Sequence, residues 1–228
     1  MGSRNIIDQT NFFVAKYIKM KKLLPFSLLL MILVSCGPKI YKATDFSEVA
    51  STHKTVAILP ADVSIKLRPN EAKKISPEDL QKNVESTGYA IQDKMYSWFL
   101  RRNAKEQFTV RFQDVSKTNS TLKNADIKYE DLALKSKEEL ATLLNVDAVI
   151  STSVRMDKPM SEGAAIAVGV LFGAWGSTNN AVTTINIHEA KQGDLIWKYD
   201  YQAQGSVGSS PENLVNALMR NASKKFPY

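Results

Sequence analysis

The chain has 228 residues, 44% of them hydrophobic and 23% charged, which is enough for one domain with a hydrophobic core or at most two small ones. Its net charge is +7, but residues 1–35 hold five basic side chains and one acidic, so they contribute +4 and the remainder only +3; that balance argues against a nucleic-acid-binding surface. Cys36 is the only cysteine, which excludes an intrachain disulfide and a cysteine-based zinc site.

The first predicted element is an export signal that starts at Met20. Lys21 and Lys22 form a basic region, and residues 23–34 form a short apolar run. That run falls short of the ~20 apolar residues that a transmembrane helix needs. It ends in Leu-Val-Ser followed by Cys36. We therefore interpret residues 1–35 as an export signal, in which residues 1–19 are either an over-called start or an unusually long basic region.

The sequence around Cys36 resembles the lipobox of bacterial lipoproteins, in which the cysteine receives lipid, including palmitate, after cleavage of the signal. The resemblance implies a membrane anchor at Cys36, since acyl chains contribute about 0.8 kcal/mol per buried methylene. In lipoproteins of this kind, an aspartate directly after the lipidated cysteine is an inner-membrane retention signal. This chain has Gly37 at that position, so the resemblance implies an outer-membrane location. Residues 38–42 have no acidic cluster, so we expect a periplasm-facing domain. Residues 36–53 are predicted to be a lipidated tether, and 54–228 a periplasmic α/β domain.

Residues 54–228 contain eight predicted elements whose type follows from apolar periodicity and capping residues. In chain order they are a strand at 55–60, a helix from the Ser76 cap to about residue 102, a strand at 108–112, a short helix from Ser136, strands at 146–154, 181–188 and 194–204, and a helix from Ser210 to near residue 226. The order β-α-β-α-β-β-β-α predicts a single α/β sandwich with a mixed sheet and helices packed on it.

Three stretches together resemble a group of periplasmic lipoprotein domains. They are the strand 56–60 with its proline, the helix-to-strand step 143–150, and the hairpin with Asp194-Leu-Ile-Trp197. The group includes the periplasmic domain of the curli secretion channel, the lipoprotein activator of penicillin-binding proteins, the amino-terminal domain of TolB and a neisserial-type lipoprotein branch. The resemblance covers residues 54–226 and implies a non-enzymatic protein that binds partners or assembles in the envelope.

Residues that could carry chemistry form no recognisable constellation. His53 and His188 occur without a metal-binding spacing, and no nucleophile motif accompanies the serines. Asp147 is interpreted as a residue that hydrogen-bonds its own backbone at the start of a strand. Trp197, with Tyr199 and Tyr201, fits a sheet face covered by helices. We therefore expect no enzymatic activity, no metal and no cofactor.

One segment suggests an interaction surface. Residues 163–188 contain no charged side chain, and residues 163–176 combine four glycines with bulky apolar residues. Such a run is too short to span a bilayer as a helix. It is either buried on the sheet or covered by a partner, a second copy or the membrane surface. The candidate interaction patch comprises Ile166, Val170, Leu171, Phe172 and Trp175.

Two functional hypotheses follow from these observations. The first is a lipid-anchored, non-catalytic accessory protein that binds or assembles periplasmic partners in the cell envelope, without contacting nucleic acid. The second is an oligomeric secretion channel or pore-forming lipoprotein subunit. A pore would need strands of about 9–11 residues with alternating faces, and residues 163–182 lack that alternation. We therefore favour the accessory protein.

Overall fold

The computed structural model describes residues 39–67, 69–73, 75–157, 180–203 and 211–228. These residues form one mixed seven-stranded sheet with helices on both faces. The strands are β1 (Lys39–Lys42), β2 (Thr55–Ile58), β3 (Asp62–Lys66), β4 (Arg111–Phe112), β5 (Ala148–Asp157), β6 (Asn180–Glu189) and β7 (Leu195–Ala203). The α-helices are α1 (Phe46–Ser51), α2 (Pro69–Ala72), α3 (Pro77–Glu106), α4 (Val115–Asn124), α5 (Lys137–Leu144) and α6 (Pro211–Lys224). The predicted α/β sandwich is therefore confirmed.

The strand order across the sheet is β1-β7-β6-β5-β2-β4, and β3 also pairs with β5. β2, β3 and β4 run parallel to their neighbours, whereas β5, β6, β7 and β1 form an antiparallel series. The antiparallel part is built around a long hairpin in which Asp157 pairs with Asn180. The 22 residues between those two positions connect the strands at one end of the sheet.

β2 and β3 are two halves of one line of chain beside β5, separated by a bulge. Ile58 lies opposite Ile150 and Asp62 opposite Ser153, so residues 59–61 face only two residues of β5. Pro60 sits in this bulge and has no N–H to donate to a ladder. Strand β3 (Asp62–Lys66) therefore lies between the predicted strand at 55–60 and the predicted helix from Ser76, where no element is predicted.

Hydrogen bonds with Tyr129 and with Gly88 hold this bulge in place. The Tyr129 hydroxyl donates to the Ala61 carbonyl at 2.6 Å and accepts from the Val63 N–H at 3.2 Å. Burial raises the pKa of Tyr129 to about 12, so the hydroxyl keeps its proton and remains a donor. The Ala61 N–H donates to the Gly88 carbonyl at 3.1 Å. The absence of a side chain at Gly88 lets helix α3 approach the bulge directly.

Alternating residues of the strands fill two cores. On one face Ile58, Ile150 and Tyr199 pack with Met95 and Phe99 of α3 and with residues of α1 and α6. On the opposite face a smaller cluster joins the central strands to α4 and α5; its members include Ala57, Leu59, Val149, Leu122, Leu140 and Leu144. Trp197 and Tyr199 are fully buried, which confirms the predicted helix-covered sheet face.

Local capping chemistry explains where the helices start. The side chains of Ser76 and Ser136 accept the N–H of the third residue of their helices, as predicted. Asp114 caps α4 in the same way through the Ser116 N–H. Helix α4 lies between the predicted strand at 108–112 and the predicted helix from Ser136, where no element is predicted. Its buried residues are Thr118 and Leu122, too few to give a clear apolar periodicity.

The predicted boundary between tether and domain was wrong. Lys39–Lys42 forms edge strand β1, in which Ile40 pairs with Tyr199. Helix α1 follows and buries Phe46 and Ala50 in the main core. The folded domain thus begins at or before Lys39 rather than at residue 54. All four side chains of β1 are exposed, so no hydrophobic alternation marked this strand in the sequence.

No helix in the described part of the chain is both long and apolar enough to cross a membrane. The predicted signal, the lipidation site Cys36 and the uncharged segment 163–176 lie outside the described residues.

Candidate functional site

A cleft of about 660 Å³ lies at one end of the sheet, and we call it the hairpin cleft. One wall is the chain from Tyr41 through α1, and the other is the turn between β6 and β7. The turn contains Gly193 with φ +74°, a left-handed conformation that glycine adopts without strain. His53 and Asp147, which precede β2 and β5, line the cleft between these walls.

His53 is buried, with 6% of its surface exposed. Its Nδ1 shares a 2.8 Å hydrogen bond with the Tyr228 hydroxyl, and the two rings lie 5.8 Å apart. Burial lowers the pKa of His53, although Asp147 and Glu189 act in the opposite direction. The expectation of a surface or strand histidine within a tether was therefore wrong, because α1 and Tyr228 enclose the imidazole.

The two carboxylates near His53 are occupied by backbone donors. Asp147 Oδ2 accepts the N–H groups of Lys54 and Thr55, each at 2.8 Å. Burial acts to raise the pKa of Asp147, but these hydrogen bonds outweigh it and leave the pKa below its usual value. Glu189 accepts the N–H groups of Lys191 and Gln192. Both carboxylates thus fix the backbone. The prediction that Asp147 hydrogen-bonds its own backbone was wrong, because its carboxylate holds the start of β2.

The charge on the cleft lining is predominantly negative. Its five carboxylates outnumber its two lysines, giving −3 with His53 neutral; they are Asp45, Glu48, Asp147, Glu189 and Asp194 against Lys42 and Lys191. The whole chain, by contrast, carries a net charge of +7. The hairpin cleft can therefore accept polar or positively charged groups better than anions.

A second, smaller cavity of about 220 Å³ lies near the bulge. Ser151, Ser153 and Asn186 of the sheet and Lys137 of α5 line it. Burial lowers the pKa of Lys137, and its Nζ lies 3.4 Å from the Leu132 carbonyl. In the described part of the chain, no three His, Cys, Asp or Glu side chains are grouped so that they could hold a metal ion.

Of the residues singled out in the sequence, the structure describes the two histidines and Asp147 but not the predicted site residues. His188 lies on the opposite face of the sheet from the main core and shares a 3.0 Å contact between its Nδ1 and the Gly193 carbonyl. Cys36 and the candidate patch, including Phe172, are outside the described residues. The pairing of His53 with Tyr228 was missed, because the two residues are 175 positions apart and no local pattern connects them.

The lowered pKa values of His53 and His188 predict that the domain is less stable in mild acid. Burial lowers the pKa of His53 and of His188 below 6.5, so the unfolded chain binds protons that the folded chain resists. The free energy of unfolding should fall as pH drops below about 6.5, by up to about 1.4 kcal/mol per pH unit for each histidine, and level off below the folded pKa values. Urea unfolding from pH 7.5 to 5 measures this slope.

The control for this prediction is His53→Asn, whose amide can replace the imidazole Nδ1 toward Tyr228. We expect a shallower dependence on pH in this variant, with His188 supplying the remainder. A wild-type stability that is constant or rises between pH 6.5 and 5 would contradict the assignment of neutral buried histidines.

No family model matches the chain, and no curated protein matches it either. Several solved structures are similar to it. A lipoprotein of Neisseria meningitidis is 10% identical with a TM-score of 0.43, over 75% of this chain and 94% of that one. The PelC dodecamer of Paraburkholderia phytofirmans is 12% identical with a TM-score of 0.40, over 82% and 94%. The C-terminal domain of LpoB from Escherichia coli is 9% identical with a TM-score of 0.32, over 70% and 95%.

These structures include members of the group that the sequence resembles, namely a neisserial lipoprotein and LpoB, the lipoprotein activator of penicillin-binding proteins.

Proposed function

We propose that this chain is a lipid-anchored, non-catalytic accessory protein of the bacterial cell envelope. Lipid on Cys36 holds it on the outer membrane, and the folded domain faces the periplasm, where it binds or assembles protein partners. The hairpin cleft, about 660 Å³ in volume, is a concave surface open to such a partner. In this account the chain needs neither a metal nor an organic cofactor.

The observation that carries the proposal is the short distance between the lipobox cysteine and the folded domain. Cys36 precedes the first described residue of β1 by only three positions. Three residues span at most about 11 Å when extended. If residues 23–34 belonged to the domain core, the chain that follows them would be expected to enter the core. The chain instead continues into β1, an edge strand whose side chains are exposed. This arrangement favours cleavage and acylation at Cys36 over burial of residues 23–34.

The absence of a catalytic role is supported by the use of the two acids beside His53. Asp147 and Glu189 each accept two backbone N–H groups. The bonds to Asp147 leave its pKa below the usual value, and a general base at neutral pH needs a pKa nearer to the working pH. Carboxylates that hold strand and turn backbones in place contribute instead to the shape of the cleft.

Replacing Cys36 tests the anchor. Cys36→Ala should abolish incorporation of labelled palmitate and leave an uncleaved or mislocalised precursor, because no other thiol exists for acylation. The measurement is metabolic labelling followed by fractionation of membranes. Ser35→Ala is the matched control, since it retains a small residue before the cysteine and should label normally. Normal labelling of Cys36→Ala would overturn the proposed anchor.

We further propose that the patch formed by Ile166, Val170, Leu171, Phe172 and Trp175 is covered by another surface rather than by the sheet. Phe172→Asp should then leave the unfolding transition intact and abolish association. Thermal unfolding and sedimentation of the lipid-free domain measure the two effects, with Asn179→Asp as a control of equal charge. Loss of cooperative unfolding in Phe172→Asp alone would return the segment to the core, and a large ring in sedimentation would favour the secretion-channel alternative.

A further inference from the structure

Strand β1 fixes the direction from which the anchored end of the chain enters the sheet. Lys39 pairs with Asp200, and Lys42 pairs with Trp197. The chain therefore runs from the Ala203 end of β7 toward the hairpin cleft. Lys39, the first described residue, thus lies nearer than Lys42 to the end of the sheet opposite the cleft.

The reach of the anchor is short compared with the length of the sheet. Cys36 lies within about 11 Å of Lys39. Along β7 the chain needs five residues to pass from Asp200 to Leu195 at the cleft, a distance of about 17 Å. With lipid on Cys36, the bilayer surface must lie close to Lys39, and the cleft is directed away from it.

Four other strand ends meet at this same end of the sheet. Lys66 pairs with Asp157, which pairs with Asn180, and Ala181 pairs with Ala203. The connection between Asp157 and Asn180 therefore starts and finishes here, and its sequence includes 17 consecutive uncharged residues, 163–179.

Exposed apolar side chains accompany this end. Val182 is 37% exposed on the sheet face that turns away from the main core, beside Arg155 and Gln202 in the neighbouring strands. Ile40 is 45% exposed, one residue after Lys39. In the part of the chain that the structure describes, only Tyr41, Leu100 and Leu134 are other large apolar side chains with comparable exposure. The charges at this end include two acids, since Lys66 pairs with Asp157 and Lys39 with Asp200, so Arg155 leaves the end weakly basic. Apolar side chains beside basic ones suit a membrane interface.

We infer that the sheet end bearing Lys66, Arg155, Val182 and Ala203 rests on the phospholipid surface, and that the hairpin cleft points into the periplasm. This inference rests on the proposed anchor at Cys36 and adds an orientation to it. The anchored domain thus presents its acidic cleft to soluble or peptidoglycan-side partners, while the opposite end contacts lipid headgroups.

The test uses the full acylated chain, in which Cys36 leaves no free thiol, so one introduced cysteine gives one label. Val182→Cys and Gln192→Cys, at opposite ends of the sheet, carry the same fluorophore in phosphatidylethanolamine–phosphatidylglycerol vesicles. Nitroxide-headgroup lipids should quench the label at position 182 several-fold more than the label at position 192.

Equal quenching at both positions, or stronger quenching at position 192, would overturn the inferred orientation while leaving the anchor intact. A label at position 182 that is shielded from water but not quenched by lipid would indicate a second copy at that end, which also overturns it. A reactive thiol at Cys36 in the purified wild type would overturn the anchor itself, and with it the orientation.

Discussion

Phe226→Ala is expected to lower the free energy of unfolding by about 3–5 kcal/mol, the usual range for removing a buried phenylalanine. The Phe226 ring is 7% exposed. It lies 4.5 Å from the ring of Phe99, 5.1 Å from Phe108 and 5.6 Å from Phe112, measured between centroids. Trp197 adds an edge contact at 6.2 Å. Truncation would leave a cavity between α3, β4 and β7 that the rigid rings cannot fill.

Denaturant unfolding of the lipid-free domain measures this effect. Leu134→Ala is the matched control, because Leu134 is 83% exposed and its truncation should change stability by less than about 0.5 kcal/mol. A Phe226→Ala variant as stable as Leu134→Ala would contradict the placement of the C-terminal residues in the core.

Gly88→Ala is expected to destabilise the domain by about 2–4 kcal/mol through overpacking. A Cβ at this position would lie 2.4 Å from the Ala61 carbonyl oxygen and 2.5 Å from Tyr129 Cε2. Neither neighbour can yield easily, because the Ala61 carbonyl belongs to the bulge and the Tyr129 hydroxyl is bonded to it at 2.6 Å.

The sign of this effect separates packing from helix propensity. Alanine favours a helix interior over glycine by about 1 kcal/mol, so an unconstrained Gly88→Ala would stabilise α3. Urea unfolding decides between the two, and Ala90→Gly in the same helix is the reverse control, expected to cost about 1 kcal/mol from propensity alone. A Gly88→Ala variant more stable than wild type would contradict the close contact between α3 and the bulge.

Features that depend on neighbouring residues could be predicted from the sequence. Each of these features depends on residues that are close together in the sequence. Examples are the caps at Ser76 and Ser136, the turn at Gly193 and the alternation of Trp197 with Tyr199. Local signals of this kind indicated the α/β class and the eight predicted elements, of which the strand predicted at 108–112 is observed only as Arg111–Phe112.

Features that depend on distant pairing could not be predicted. Strand β1 forms because it pairs with the edge of β7, which lies more than 150 positions away in the sequence. The four residues of β1 are all exposed. The bond between His53 and Tyr228 depends in the same way on tertiary contact. Strand β3 did carry a signal, since Val63 and Ile65 alternate with polar residues, but the bulge at Pro60 interrupted it.

The most direct measurement of the central claim is the intact mass of the mature protein extracted with detergent from membranes. The account predicts a chain that begins at Cys36, lacks residues 1–35 and carries a diacylglyceryl group on sulfur, with or without an additional acyl chain on nitrogen. A membrane-extracted chain that still contains residues 20–35, or one whose Cys36 is unmodified, would contradict it.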